Sequence, residues 1–270
     1  MLACVINVSE GRDSAVLAAL AAAAGDALLD VHTDGFHHRS VFTLAGPGVE
    51  AAVRRLVSEA VGRIDLRFHQ GAHPRFGAAD VVPFVPLGRA PFITALAARD
   101  AFAAWAAKAL GLPCFLYGPD RTLPEVRRLA FAGLTPDRGP AAPHPTAGAV
   151  AVGARPVLVA YNLWLAAGVG PDVARAVARA IRGPAVRALG LDLGGRAQVS
   201  CNLVEPGQVG PVQAYDLVAA QVPVERAELV GLVPAAVLDA APPERWAELD
   251  LAADRTIEAR LLEAGLELPA

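Results

Sequence analysis

No run of apolar residues in this chain is long enough to cross a membrane. Hydrophobic residues make up 54% of its 270 positions, but Gly, Pro or charge breaks every run well short of the roughly 18–20 uncharged residues a spanning helix needs. There is no excess of positive charge either. The formal net charge is −3 and the basic residues are scattered, so nothing forms an electrostatic footprint for nucleic acid. Cysteine is scarce: Cys4, Cys114 and Cys201 lie far apart in apolar surroundings and read as small buried hydrophobes of a reducing compartment. The start, Met1-Leu2-Ala3-Cys4-Val5-Ile6-Asn7, lacks a basic segment and a small-residue cleavage site, so a cytoplasmic rather than secreted protein is expected. The Asn7-Val8-Ser9 triplet then means nothing as a glycosylation signal. GxGxxG, Walker, Gly-x-Ser-x-Gly and Cys-x-x-Cys patterns are all missing, which disfavours dinucleotide, nucleoside-triphosphate, esterase and zinc chemistry. Arginine far outnumbers lysine and alanine is abundant, a pattern of genomic base composition more than of mechanism.

What is present is a β-α-β-β-α-β order, twice. Leu2 to Val8 reads as a strand, followed by the turn Ser9 to Ser14, rich in N-capping residues, and a helix over Ala15 to Ala24. Ala27 to His32 and Arg39 to Ala45 read as strands flanking the polar loop Thr33 to His38. Val49 to Ile64 carries Val53, Leu56, Val57, Ala60 and Ile64 at three- and four-residue spacing, an amphipathic helix. Asp80 to Val85 is a buried strand. An additional module follows: a helix over Phe92 to Leu110, a strand over Cys114 to Tyr117 and a short helix over Leu123 to Phe131. The segment from Leu134 to Gly148 holds Pro136, Pro140, Pro143 and Pro145, which impose an extended backbone and a structured loop or hinge. In the second half, strands over Val157 to Asn162, Val186 to Asp192, Ala197 to Val204 and Glu228 to Val233 alternate with helices over Val173 to Ile181 and Val212 to Val222. A charged helical tail is expected from about Pro242. The fold expected is α+β: two ferredoxin-like (split βαβ) subdomains, residues 1–150 and 151–270, joined through the Pro-rich segment and facing each other across a ligand groove.

The chemistry-bearing stretch is Arg67-Phe68-His69-Gln70-Gly71-Ala72-His73-Pro74-Arg75-Phe76-Gly77, a polar, Gly-punctuated loop feeding a core strand. His69 and His73 have the spacing of a helical metal pair, but Gly71 and Pro74 oppose a helix and no carboxylate completes a site, so no metal is expected. Pro74 holds His73 extended, placing His73 and Arg75 on one side. A neutral imidazole beside a fixed cation suits a general base, and Arg75 could bind a carboxylate through two parallel hydrogen bonds. The residues are equally compatible with a His and an Arg that tie down their own loop by hydrogen bonds to carbonyls. His32, His37 and His38 read as solvated loop histidines. Ser9-Glu10-Gly11, at the mouth of the first helix, offers free N–H groups to an anion, or caps the helix in the ordinary way.

His69-x-Gly71-x-His73-Pro74-Arg75-x-Gly77, with Asp80-Val81 and Pro83-Phe84-x-Pro86, resembles the formiminotransferase family, the glutamate formimidoyltransferase domain of histidine breakdown. The likeness runs through Asn7 to Gly11, Arg39 to Thr43, Pro113 to Gly118, Arg121 to Pro124, Pro136-Asp137-x-Gly139-Pro140, Gly153-Ala154-Arg155, Gln198 to Leu203 and Glu228 to Pro234. It implies two α/β subdomains in a homodimer, moving a one-carbon formimidoyl group between N-formimidoyl-L-glutamate and tetrahydrofolate, the co-substrate. The family's catalytic histidine falls on His73, which would shuttle the proton lost by the attacking folate nitrogen and needed by the leaving amine. Arg75 would hold a substrate carboxylate. The folate-binding segment falls on Gly139, Pro140, Ala141, Ala142, Pro143, His144, Pro145, Thr146, Ala147 and Gly148. Two positions depart from the best-known members, which carry Glu where this chain has Ala72 and an acid where it has His32. Two other readings stand beside transfer: a protein of this fold that binds folate or another small anion without transferring anything, and an enzyme whose chemistry uses His32, His37 or His38.

Overall fold

The computed structural model describes residues 1–268. It divides into two compact units, one from Met1 to Pro156 and one from Val157 to Glu267. In chain order the first unit holds β1 (Leu2–Val8), α1 (Ser14–Ala24), β2 (Leu28–Asp34), β3 (Arg39–Ala45), α2 (Val49–Arg63), β4 (Ala79–Pro86), α3 (Phe92–Leu110), β5 (Cys114–Tyr117), α4 (Leu123–Leu129) and β6 (Val150–Ala154). The second holds β7 (Val159–Leu165), α5 (Pro171–Ala180), β8 (Val186–Asp192), β9 (Ala197–Leu203), α6 (Pro211–Ala219), β10 (Val224–Val230), α7 (Ala235–Asp239) and α8 (Ile257–Glu263). The architecture is mixed α and β with two sheets, one of six strands and one of four.

Local chemistry sets most of these boundaries. Asp13 caps α1 by accepting from the N–H groups of Ala15 and Val16. In α2, Val49, Ala52, Val53, Leu56, Val57 and Ala60 are buried on one stripe. α3 ends at Gly111 in the left-handed region, φ 62°, a conformation that suits a residue without Cβ. Thr122 and Glu125 close a capping box at the start of α4.

The first sheet runs in the order β2-β3-β1-β4-β6-β5. β1 is antiparallel to both β3 and β4, while β6 is parallel to β4 and β5. Ile6, Phe42, Leu44, Leu56, Phe84 and Phe102 form the core with α1, α2 and α3. Each large side chain so buried contributes roughly 1.5–3 kcal/mol. A smaller cluster gathers Phe115, Tyr117, Val81, Val126 and Ala151, with Phe76 against it, beneath α4. β6 was not expected from the sequence, and it lies wholly within the first unit, ending beyond residue 150. The Pro-rich segment therefore lies inside the first unit and not between the two. It leads from β5 and α4 back into β6, the strand that fills the place between β4 and β5.

The second sheet runs β10-β7-β9-β8, every neighbour antiparallel. This is the same relative order as β4-β1-β3-β2 in the first unit. Tyr161, Leu163, Val199, Leu203 and Leu229 form its core with α5 and α6. The expected helical tail is mostly turns: α7 and α8 are short, with two single 3₁₀ turns between them. What holds the tail is packing. Leu249 and Leu251 enter the core, and the Tyr161 hydroxyl donates to the Leu249 carbonyl at 2.8 Å. No described helix is long and apolar enough to cross a membrane.

Candidate active site

The first unit gathers a set of polar side chains where the end of β1 meets the starts of β3 and β4, around the loop that precedes β4. The key irregularity is in the pairing of β1 with β4. Asn7 stands opposite Val81 and Val8 opposite Ala79, so Asp80 is the extra residue of a bulge, a device that re-aims a side chain. Asp80 is fully buried. Its Oδ2 accepts from Arg39 Nη1 on β3 and from Arg127 Nη2 on α4, each at 2.6 Å, and its Oδ1 accepts from the Phe76 N–H at 2.8 Å. Burial alone would raise the Asp80 pKa, but the two guanidiniums and the Phe76 N–H prevail and hold it at about 2. Arg39 also donates through Nε to Asn7 Oδ1 at 3.0 Å. One carboxylate thus anchors two cations.

His73 sits beside this cluster, half-buried. Its Nδ1 lies 2.8 Å from the Pro74 carbonyl. A carbonyl only accepts, so Nδ1 carries the hydrogen and Nε2 is the basic nitrogen of the neutral ring. Arg127 donates to that same Pro74 oxygen at 3.1 Å. Burial, then Arg39 and Arg127, push the His73 pKa down to about 3, against smaller opposing effects of Pro74 and Asp80. The ring is neutral at ordinary pH.

Arg75 bonds to its own loop, one of the two roles the sequence leaves open to it. Its Nε and Nη2 donate to the His73 carbonyl, its Nη2 also to the His37 carbonyl at 3.2 Å, and its Nη1 meets the His69 ring. The guanidinium ties the loop to itself and to the β2–β3 connection. His69 in turn stacks on His38, ring centroids 3.9 Å apart. Burial, His38 and Arg75 lower the His69 pKa to about 4.

The β2–β3 histidines are a correction. They are not solvated: His37 is buried, His38 is largely covered, and His32 is half-buried. The connection folds back against the His69–Arg75 loop, bringing the His37 and His73 rings to 5.8 Å. The mouth of α1 is also filled from within. Glu10 Oε1 accepts from the N–H groups of Gly11, Arg12 and Asp13 at 2.7–2.9 Å, so the N–H groups expected to be open to an external anion hold this carboxylate.

The glycines of the motif have steric reasons. A Cβ on Gly71 would stand 2.5 Å from the His37 carbonyl oxygen, and one on Gly77 only 1.8 Å from that of Ala149. The second contact is where the Pro-rich segment arrives. Gly77 and Gly148 form a bridge, Ala78 donates to the Ala147 carbonyl at 2.9 Å, and Ala149 to that of Phe76 at 2.8 Å. Thus Thr146 to Ala149 lies directly against the His73 loop. Gly139 to Pro143 is exposed, whereas His144 is half-buried, its Nδ1 accepting from the Ala147 N–H at 3.1 Å.

Sequence reasoning singled out neither Asp80 nor Arg39 as site residues. A lone Asp opening the apolar run Asp80-Val81-Val82-Pro83 was a usable signal, since a buried carboxylate requires a partner. Arg127 gave none: it is one of two adjacent arginines on α4. In the second unit, a polar cluster went equally unremarked. The buried Trp164 ring lies under the guanidiniums of Arg226 and Arg196, at 4.6 and 4.9 Å, and its N–H donates to Glu228 Oε2 at 2.8 Å.

Comparison with known proteins bears on what this arrangement does. Residues 1–155 match the formiminotransferase domain, N-terminal subdomain. The chain is 37% identical over 268 residues to a glutamate formimidoyltransferase of Streptococcus pyogenes serotype M1, covering 87% of this chain and 89% of that protein. It is 34% identical over 271 residues to a glutamate formimidoyltransferase of Thermoplasma acidophilum, with 87% and 88% covered. A formimidoyltransferase-cyclodeaminase of Gallus gallus is 35% identical over 283 residues, and there the match spans 52% of the longer protein.

Proposed function

The chain belongs to the formiminotransferase family, and from that premise we propose that it moves a formimidoyl group between N-formimidoyl-L-glutamate and tetrahydrofolate with His73 as the proton carrier. The observation that carries this is the state of His73: Nδ1 fixed on the Pro74 carbonyl, Nε2 basic, the ring neutral beside a cluster with surplus positive charge.

The reaction makes one C–N bond, to the folate nitrogen, and breaks another, to the glutamate nitrogen, with one proton passing from the first nitrogen to the second. Nε2 of His73 accepts that proton and returns it to the departing amine, while the Pro74 carbonyl keeps the ring in the tautomer and orientation required. Both substrates carry carboxylates. Arg39 and Arg127, with only Asp80 between them, and Arg75 behind, supply a positive field that fits such ligands. Arg75, from its place in the loop, attracts a carboxylate of glutamate or folate through its charge. Gly139 to Gly148 takes the folate. In support, its first half is exposed backbone, and its second half is hydrogen-bonded to the His73 loop. We assign the protein to the cytoplasm and to a homodimer, acting on small molecules in histidine degradation and one-carbon metabolism.

The test is direct. Purified protein mixed with N-formimidoyl-L-glutamate and tetrahydrofolate should generate formimidoyl-tetrahydrofolate, and His73→Ala should abolish turnover while folate binding is retained. Folate binding without turnover in the unsubstituted protein would replace transfer with the binding reading, and turnover unaffected by His73→Ala would remove His73 from the chemistry.

A further inference from the structure

We propose that Arg127 receives the carboxylate adjacent to the reacting nitrogen of the amino-acid substrate, and that this capture gives His73 the basicity it needs. The proposal rests on the transfer reading above and names the residue that recognises one substrate.

The geometry begins with an imbalance. Arg39 and Arg127 converge on the same oxygen of Asp80, so one negative charge answers two positive ones. Arg39 is almost enclosed and also holds Asn7. Arg127 is the more open of the two, its side chain 22% exposed. Among the described residues it donates only to Asp80 Oδ2 and the Pro74 carbonyl, leaving other N–H donors of its five available. Its position is fixed on the far side by the Phe76 ring, 5.7 Å from the guanidinium carbon. A planar, oriented, partly exposed guanidinium with unused donors is suited to a carboxylate.

The Pro74 oxygen connects this cation to the base. Arg127 Nη1 and His73 Nδ1 both point at it, at 3.1 and 2.8 Å, so the two nitrogens can be no farther apart than those distances added together. The groups facing His73 are Arg39 from β3, Arg127 from α4, Asp80 from β4, His37 from the β2–β3 connection, and Arg75, which grips its carbonyl. Asp80 is their one carboxylate, and it is already shared. Without ligand the surroundings oppose a second positive charge, and the imidazole is a weak base. An anion on Arg127 offsets that surplus, and an opposite charge that comes within about 4–6 Å of the ring raises its pKa by roughly 1–3 units. His73 then approaches the range in which proton transfer at neutral pH is efficient.

Distance selects the source of the anion. In N-formimidoylglutamate the α-carboxylate sits on the carbon that bears the reacting nitrogen. In folate the glutamate carboxylates are separated from the ring nitrogens by an aminobenzoyl group. With the reacting nitrogen at His73, only the first can reach a guanidinium that shares a carbonyl with that ring.

The experiment follows the His73 Cε1–H resonance in histidine-labelled protein, identified by its loss in His73→Gln, from about pH 8 to about pH 4. Without ligand it should not titrate in that range. Saturating N-acetyl-L-glutamate, which has the α-carboxylate and no transferable group, should raise the midpoint by at least about one unit, into the range. Folic acid should not. Arg127→Gln should abolish the shift at saturation. Arg127→Lys, which keeps the charge in place, should retain the shift with at least tenfold weaker binding and a raised KM for the amino-acid substrate. A His73 that stays neutral with N-acetyl-L-glutamate, a shift produced by folic acid alone, a shift undiminished in Arg127→Gln, or Arg127→Lys binding as tightly as the original would each overturn the proposal. Turnover by the unsubstituted protein decides the transfer reading separately. Intact coupling without transfer would sink that reading alone, and transfer without coupling only this one.

Discussion

Asp80→Asn is the substitution that presses hardest on the site's construction. The side chain is fully buried and joins Arg39, Arg127 and the Phe76 N–H. An amide keeps the shape and one acceptor oxygen but turns an NH₂ toward a guanidinium, and it leaves both cations without a counter-charge. Breaking a buried pair this way costs about 3–5 kcal/mol, a large part of the roughly 5–15 kcal/mol that holds a domain folded. Acid supplies an independent measure. The Asp80 pKa falls from an ordinary 3.8 to about 2 in the folded protein, so the folded state binds fewer protons than the unfolded state between those values. The stabilisation is complete above about pH 4 and is lost as pH falls through about 2, amounting to something on the order of 2 kcal/mol. The two units need not unfold together, so the measurement should be local: native-state hydrogen exchange across Phe76 to Pro86. Protection in Asp80→Asn should drop by about 3–5 kcal/mol at neutral pH, and the gap from the original protein should narrow by about 2 kcal/mol between pH 4 and pH 2. A loss below about 1 kcal/mol, or a gap that stays constant through that acid range, would refute the claim that this carboxylate holds the cluster.

Further outcomes follow from other contacts. Gly77→Ala places a Cβ 1.8 Å from the Ala149 carbonyl oxygen and should cost roughly 3 kcal/mol or more, read by thermal unfolding; a shift in Tm of a degree or less would mean that the two segments separate easily. His69 and His73 are both held below their ordinary pKa, so the unfolded state takes up more protons as pH falls below about 6.5, and stability must decline from there toward pH 4. Replacing both by Asn should flatten that decline in denaturant titrations; an unchanged slope would place the proton uptake elsewhere. Tyr161→Phe removes the donor to the Leu249 carbonyl and should destabilise the second unit by about 1 kcal/mol, measured by urea unfolding followed through Trp246; no change would mean that water replaces the hydroxyl.

Much of this protein is determined by its sequence alone, wherever the governing forces are local. The apolar run of Leu2–Val8, the strand Arg39–Ala45 and the helical spacing from Val53 to Ile64 each follow from neighbours within a few residues. So does the conspicuous loop: two histidines and two arginines among glycines are visible before any fold is known. What tertiary structure alone decided is which distant residues meet there. β6 is a five-residue run of small apolar residues that becomes a strand because a parallel slot exists between β4 and β5. The surroundings of His73 come from β3, β4 and α4, with Arg39 and Arg127 respectively 41 and 47 residues from Asp80. The basicity of a side chain depends on charges within a few ångströms, and no pattern along the chain states which those will be. Composition and spacing marked out the loop that carries His73; the bulge at Asp80 and the approach of α4 decided how strongly its ring can hold a proton.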